Sequence, residues 1–221
     1  LAGMFAIGQK PTGNKDPFAL RRNALGLART IIESGYDFDV KKILIEAAEH
    51  AIHALVSTAY ESSVKAAHQA ENQGASARGK SPGYIGKPGS FDIADEIYDF
   101  ILDRLRGYYN DKGVPTSHFN AVAELKPTSL YDFDRRIDAI GIFAQLPEAA
   151  ALAAANKRIG NILKKVEGEI PNIEDLTLLR EPAELALAEA VEAVYGETGH
   201  ALAHGDYADV LVHLARLRPQ V

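Results

Sequence analysis

Apolar residues recur along this chain at three- and four-residue spacing, the period of an α-helix with one side against a core. Asp16 and Pro17 read as a helix start, followed by the stripe Leu20, Ala24, Leu27 and Ile31 and closed by Gly35. Asp39 opens a second helix with Ile43, Leu44, Ala47, Ile52 and Leu55 as its apolar positions, fading toward Ala70. From Asp92 the spacing of Ile93, Ile97, Phe100, Ile101 and Leu105 predicts a strong amphipathic helix ending near Gly113. A short helix after Pro115 stops before Pro127, and another spans about Ser129 to Gln145. Pro147 begins a helix reaching about Val166. Pro182 begins one reaching about Ala203, and Asp206 caps a last one carrying Val210, Leu211 and Leu214. No stretch alternates with a period of two for long enough to predict a strand, and no repeat of fixed period is present. The fold class is all-α, with successive helical hairpins forming one or two helical bundles.

Residues 72–90 break the helical pattern with a cluster of Gly, Pro and Ser. That composition predicts a flexible connection, because its glycines carry high conformational entropy and few apolar anchors are available. The chain lacks an initiator methionine and stops just after a helical pattern, which predicts a piece of something longer.

Composition narrows the chemistry. With no cysteine in 221 residues, disulfide frameworks, thiolate metal sites and cysteine nucleophiles are excluded. The 24 Lys and Arg against 30 Asp and Glu give a net charge of −6, so a nucleic-acid partner needs a local basic patch. No apolar run approaches the ~20 residues that span a bilayer.

Self-contained active-site patterns are missing: there is no G-x-S-x-G elbow, no P-loop and no strand to carry a G-x-G-x-x-G turn. Glu46, His50 and His53 share one helix face at ligand-like spacing. They support a rival reading as a helical metal-dependent phosphohydrolase, but no Glu-x-x-His partner helix accompanies them. The sequence marks no residue as catalytic or as a metal ligand. His200 and His204 lack the intervening glutamate of a zinc-protease motif and suit a helix C-terminus.

Two basic stretches stand out. Residues 8–22 form a Gly/Pro loop feeding a helix, with Lys10, Lys15, Arg21 and Arg22 against Asp16 alone. At 100° per residue Arg22 and Arg29 face away from the apolar stripe, whereas Arg21 lies beside it and is expected to pair with a buried acid. Residues 156–165 carry Lys157, Arg158, Asn161, Lys164 and Lys165, with Lys157, Asn161 and Lys164 opposite Ile159, Ile162, Leu163 and Val166. Cations with an amide match what an RNA backbone and unstacked bases require. A solvated helix face is the plain alternative.

At the same residues the chain resembles a known family. The run GQKPTGNKDPFALRRNALG, Gly8 to Gly26, is similar to the signature segment of bacterial glycyl-tRNA synthetase β subunits. Tyr131 to Leu163 resembles the start of that family's DALR-type anticodon-binding bundle, and Leu179 to Val191 and His204 to Val221 continue it in order.

The resemblance implies that residues 1–71 are the tail of an HD-like helical region. Residues 91–128 would be connecting helices and residues 129–221 a DALR-type bundle whose last helices lie downstream. It implies a cytoplasmic aminoacyl-tRNA synthetase of two α and two β subunits, with tRNA for glycine and the α subunit as partners. ATP with Mg is used by the whole enzyme, with no cofactor bound by this segment and no membrane. The residues expected at tRNA are Lys10, Lys15, Arg22, Arg29, Lys157, Arg158, Asn161, Lys164 and Lys165. A helical scaffold contacting only the α subunit is the competing reading.

Overall fold

The computed structural model describes residues 1–72, 89–166, 168 and 179–220. Among them the regular structure is entirely helical, apart from one isolated bridge between Thr12 and Lys15. The helices are α1 (Ala2–Ala6), α2 (Leu20–Glu33), α3 (Val40–Asn72), α4 (Ser90–Asp111) and α5 (Thr116–Ala123). They continue with α6 (Leu130–Phe143), α7 (Ala149–Leu163), α8 (Pro182–Ala203) and α9 (Tyr207–Ala215), and a 3₁₀ turn follows at Arg218–Gln220.

The chain divides into two compact units. The first holds Leu1–Thr116 and Lys126–Tyr131, the second Ser117–Leu125 and Asp132–Val221. In the first unit α4 packs against α3, α2 and α1. Its buried side, with Ile93, Ile97, Ile101 and Leu105 essentially inaccessible, meets Leu20, Ala24, Ala28 and Ile31 of α2 and Val40, Leu44 and Ala48 of α3 in one apolar core. Tyr98 lies in this core and donates from its hydroxyl to the Pro127 carbonyl at 2.5 Å. Burial is the first cause pushing its phenol well above the ordinary value.

Helix ends follow their local chemistry, with one departure. Gly35, at φ +67°, ends α2 in a left-handed turn that sends Tyr36 N–H back to the Ile31 carbonyl at 3.0 Å. Asp39 accepts from Lys42 N–H at 2.9 Å, as expected of a cap. The start of α2 lies later than Asp16-Pro17 suggests. Pro17, Phe18 and Ala19 form a non-helical turn, and Ala19 takes the left-handed conformation at φ +53°. Asp16 still caps the helix, because its carboxylate accepts from Leu20 N–H at 2.8 Å and Arg21 N–H at 3.0 Å.

The apolar stripes are corrected in four places. In α2, Leu27 is exposed and Ala28 is buried in its stead. In α3, Ile43 is exposed while Val40 and Ala48 join Leu44 in the core. On α9, Val210 and Leu211 are half-buried and Leu214 is exposed, with Ala215 the buried residue.

The largest correction falls on α7. Ile159, Ile162, Leu163 and Val166, expected to be covered, are 45%, 56%, 43% and 48% exposed. Helical spacing sets which side of a helix is apolar; cover must come from another element. The flexible connection expected at 72–90 lies outside the described residues between Asn72 and Gly89.

In the second unit Phe119 packs on Phe133 with ring centroids 5.3 Å apart, beside buried Val122 and Ile137. Pro182 stands in the first turn of α8, and the Glu184 carboxylate accepts from Arg180 N–H and Glu181 N–H at 3.0 and 3.1 Å. Asp206 caps α9 by accepting from Asp209 N–H at 3.2 Å. α6 is tied to α9 by polar contacts. Arg136 donates to Asp132 at 2.7 Å and to the Tyr207 hydroxyl at 2.8 Å, and that hydroxyl donates to Asp132 at 2.5 Å. Burial first, and then the Asp132 carboxylate, raises the Tyr207 phenol above its ordinary value.

Candidate nucleic-acid interface

The basic residues expected at RNA fall into two groups, one in each unit. In the first unit, residues 8–22 fold back on themselves ahead of α2. Thr12 and Lys15 exchange backbone hydrogen bonds of 3.1 and 2.8 Å around a corner formed by Gly13 and Asn14. Gly13 adopts φ +48°, a conformation that glycine takes without steric cost. The tip is exposed from Thr12 to Lys15.

Two cations of this group are locally paired. Lys10 bridges to Glu96 at 2.5 Å, and Arg29 to Glu33 at 2.9 Å, one turn along α2. The Arg29 hydrogen bond holds the Glu33 carboxyl below its ordinary range. Arg29 also lies 5.5 Å from the Tyr108 ring centre. Lys15 and Arg22 are exposed and make no ion pair with a described residue.

Arg21 corrects the sequence expectation. Its partner is no buried acid: Nη2 donates to the Gly13 carbonyl at 2.6 Å, at the surface. Helical geometry placed Arg21 beside the apolar stripe, but the segment ahead of the helix folds back to meet it.

The second group lies on α7. Ala154, Lys157, Arg158, Asn161, Ile162 and Lys165 line a shallow open depression of about 350 Å³ along one side of the helix. The side chains of Lys157, Arg158, Asn161, Lys164 and Lys165 are all exposed. At 100° per residue these five span about 120° of the helix circumference. No acid occurs between Glu148 and Glu167, and none of the four cations pairs with a described carboxylate. Among the described residues the stripe is thus a block of positive charge with no carboxylate partner, on a chain that is acidic overall. Lys164 and Lys165 also sit at the C-terminal end of α7, where the helix dipole favours cations without any ligand.

Around the far side of α7, Leu152, Ala155 and Ile159 face Leu211, Leu214 and Leu217 across an apolar groove of about 410 Å³.

The histidines form no comparable centre. Glu46, His50 and His53 are exposed on α3, and among the described residues no group of three or more His, Asp or Glu is placed to hold a metal ion. His200 and His204 stack at 4.1 Å at the C-terminal end of α8, the position their spacing suggested. Among the described residues no helix is long and apolar enough to cross a membrane.

Comparison with known proteins gives the chain a family. The family profile described as glycyl-tRNA synthetase beta subunit matches residues 1–124. Over all 221 residues the chain is 62% identical to the glycine–tRNA ligase beta subunit of Xanthomonas campestris pv. campestris strain 8004. It is 54% identical to that of Xylella fastidiosa strain Temecula1 and 42% identical to that of Pseudomonas aeruginosa strain LESB58. The whole chain is covered in each case, and it spans 28%, 30% and 28% of these relatives' lengths. The chain belongs to the glycyl-tRNA synthetase beta subunit family.

Proposed function

We propose that this chain is the part of a glycine–tRNA ligase β subunit that helps to hold tRNA for glycine during ATP-dependent attachment of glycine. The observation that carries the reading is the acid-free stripe Lys157, Arg158, Asn161, Lys164 and Lys165 on α7. Lysine and arginine neutralise backbone phosphates, while the Asn161 amide offers both a donor and an acceptor to an unpaired base edge. Lys15 and Arg22 supply a second set of exposed cations in the first unit, with Lys10 and Arg29 available only by leaving Glu96 and Glu33.

In this reading residues 1–71 end an HD-like region and residues 129–221 begin a DALR-type anticodon-binding bundle. The enzyme is a cytoplasmic assembly of two α and two β subunits. Glycine activation with ATP and Mg belongs to the α subunit.

The test uses the whole ligase carrying Lys157→Ala and Lys164→Ala. Binding of tRNA is expected to weaken, and the slope of log K against log salt to flatten by roughly one to two units, at ~0.7–0.9 per phosphate contact. Glycine-dependent ATP–pyrophosphate exchange without tRNA is expected to stay at the wild-type rate. Unaltered affinity and slope would leave α7 as a solvated face and favour a scaffold that contacts only the α subunit.

A further inference from the structure

Residues 7–18 bury almost nothing, yet their backbone is closely specified. Ile7, Lys10, Thr12, Gly13, Asn14, Lys15, Pro17 and Phe18 are all exposed, so the apolar core does not order this segment. Polar contacts and backbone geometry do. Thr12 and Lys15 are doubly hydrogen-bonded, and Asp16 holds two amides of α2. Ala19 accepts a left-handed conformation that is strained for a non-glycine residue. From the α2 side, Arg21 reaches back to the corner of the hairpin at Gly13. A surface segment ordered without burial is the usual form of a binding loop on a rigid scaffold.

Building on the tRNA-binding reading above, we propose that Arg21 is a positioning residue: it holds the Thr12–Lys15 hairpin so that Asn14 and Lys15 meet RNA in a fixed geometry. The chemistry of the tip suits that ligand. Lys15 offers a cation to a phosphate, Asn14 an amide to a base edge or sugar hydroxyl, and Phe18, 49% exposed, an aromatic face. The N-terminus of α2 is no anion site, because the Asp16 carboxylate already occupies it. Arg21 needs no contact with RNA in this scheme. Its Nη2 donates to the Gly13 carbonyl, and the effect is to remove hairpin motion that binding would otherwise have to suppress.

The experiment compares Lys15→Ala, Arg21→Ala and Arg21→Lys in the whole ligase, reading KM and kcat for tRNA aminoacylation, KM for glycine and amide exchange at Lys15. Arg21→Ala is expected to raise KM for tRNA roughly three- to tenfold with kcat and KM for glycine unchanged. It is also expected to speed exchange of the Lys15 amide, which is bonded to Thr12. Arg21→Lys, which keeps one donor for the carbonyl, is expected to recover part of both. If Lys15→Ala raises KM for tRNA but Arg21→Ala does not, the positioning role is overturned while the tRNA reading stands. If Lys15→Ala is silent and the α7 variants still weaken tRNA binding, the hairpin is not an RNA contact and the proposal falls. If Arg21→Ala lowers the melting temperature and raises every KM alike, Arg21 is a structural residue and the proposal falls.

Discussion

The guanidinium of Arg135 lies where a side chain on Gly205 would begin: a Cβ built there would stand 2.7 Å from Nη1 and 2.9 Å from Cζ. Arg135 occupies that space because Nη2 donates to the His204 carbonyl at 2.7 Å, at the end of α8. Gly205 itself has φ +64°, which closes the turn into α9. Gly205→Ala therefore combines a left-handed alanine, roughly 1–2 kcal/mol, with displacement of a charged donor from an orphan carbonyl. The arginine can swing away at little steric cost, so the lost hydrogen bond matters more than the clash. Hydrogen exchange in the full subunit is expected to show the α8–α9 turn opening more easily. Unchanged protection of Asp206 N–H, bonded to the Ala201 carbonyl at 2.8 Å, would refute this.

Asp132, Arg136 and Tyr207 form a closed triangle, and its members should not contribute additively. Tyr207→Phe leaves Asp132 and Arg136 still paired, so a cost of about 1 kcal/mol is expected. Asp132→Ala removes the acceptor for both partners and is expected to cost somewhat more, roughly 1–2 kcal/mol, limited by the partial exposure of the pair. The double variant should cost less than the sum of the two. Denaturant unfolding of the four proteins of this cycle checks it, and strict additivity would show that the hydroxyl does not couple to the carboxylate.

Glu184 makes the start of α8 sensitive to acid. Hydrogen bonds from the backbone N–H of Glu181 and then Arg180 hold its carboxyl below the ordinary value of 4.5. A group with a lowered folded pKa contributes stability that is complete above its unfolded value and is lost as pH falls through the folded one. Exchange at the Glu181 and Arg180 amides, corrected for intrinsic rate, should therefore accelerate as pH falls below about 4.5. Glu184→Gln should exchange faster already at neutral pH and lose this acid dependence. An acid response that persists in the glutamine variant would assign it to another carboxylate.

The ends of the helices were readable because each depends on a few neighbouring atoms. Gly35, Asp39, Pro182 and Asp206 act within one turn, and the observed boundaries follow them closely. The sequence marks Asp16 as a cap but sets it too near its helix, because an alanine gives no sign that it will turn left-handed at position 19. The helical projection sets Arg21 beside the apolar stripe of α2, yet its partner is the Gly13 carbonyl rather than a buried acid. A helical projection contains no information about a preceding segment that returns to it. The exposed Ile159 and Ile162 failed for a related reason: periodicity ranks the sides of a helix, and cover depends on what other elements reach them. The cations of α7 were legible as a group because nothing but their position on one helix was needed. The ion pair of Lys10 with Glu96, 86 residues away, leaves no trace in the local sequence.

Six of the first seven residues of α7 are alanine, the residue with the highest intrinsic helix propensity. Most helices in globular proteins stay wound because one side is sheltered, yet the second half of this one has little shelter on any side. The alanine run winds the helix from its own backbone preferences and feeds that order forward into Lys157, Arg158 and Asn161. The charged stripe therefore keeps its helical spacing on a segment that has little cover from the rest of the fold. In the tRNA-holding role proposed above, a stripe that is already helical would leave docking little coiling to impose.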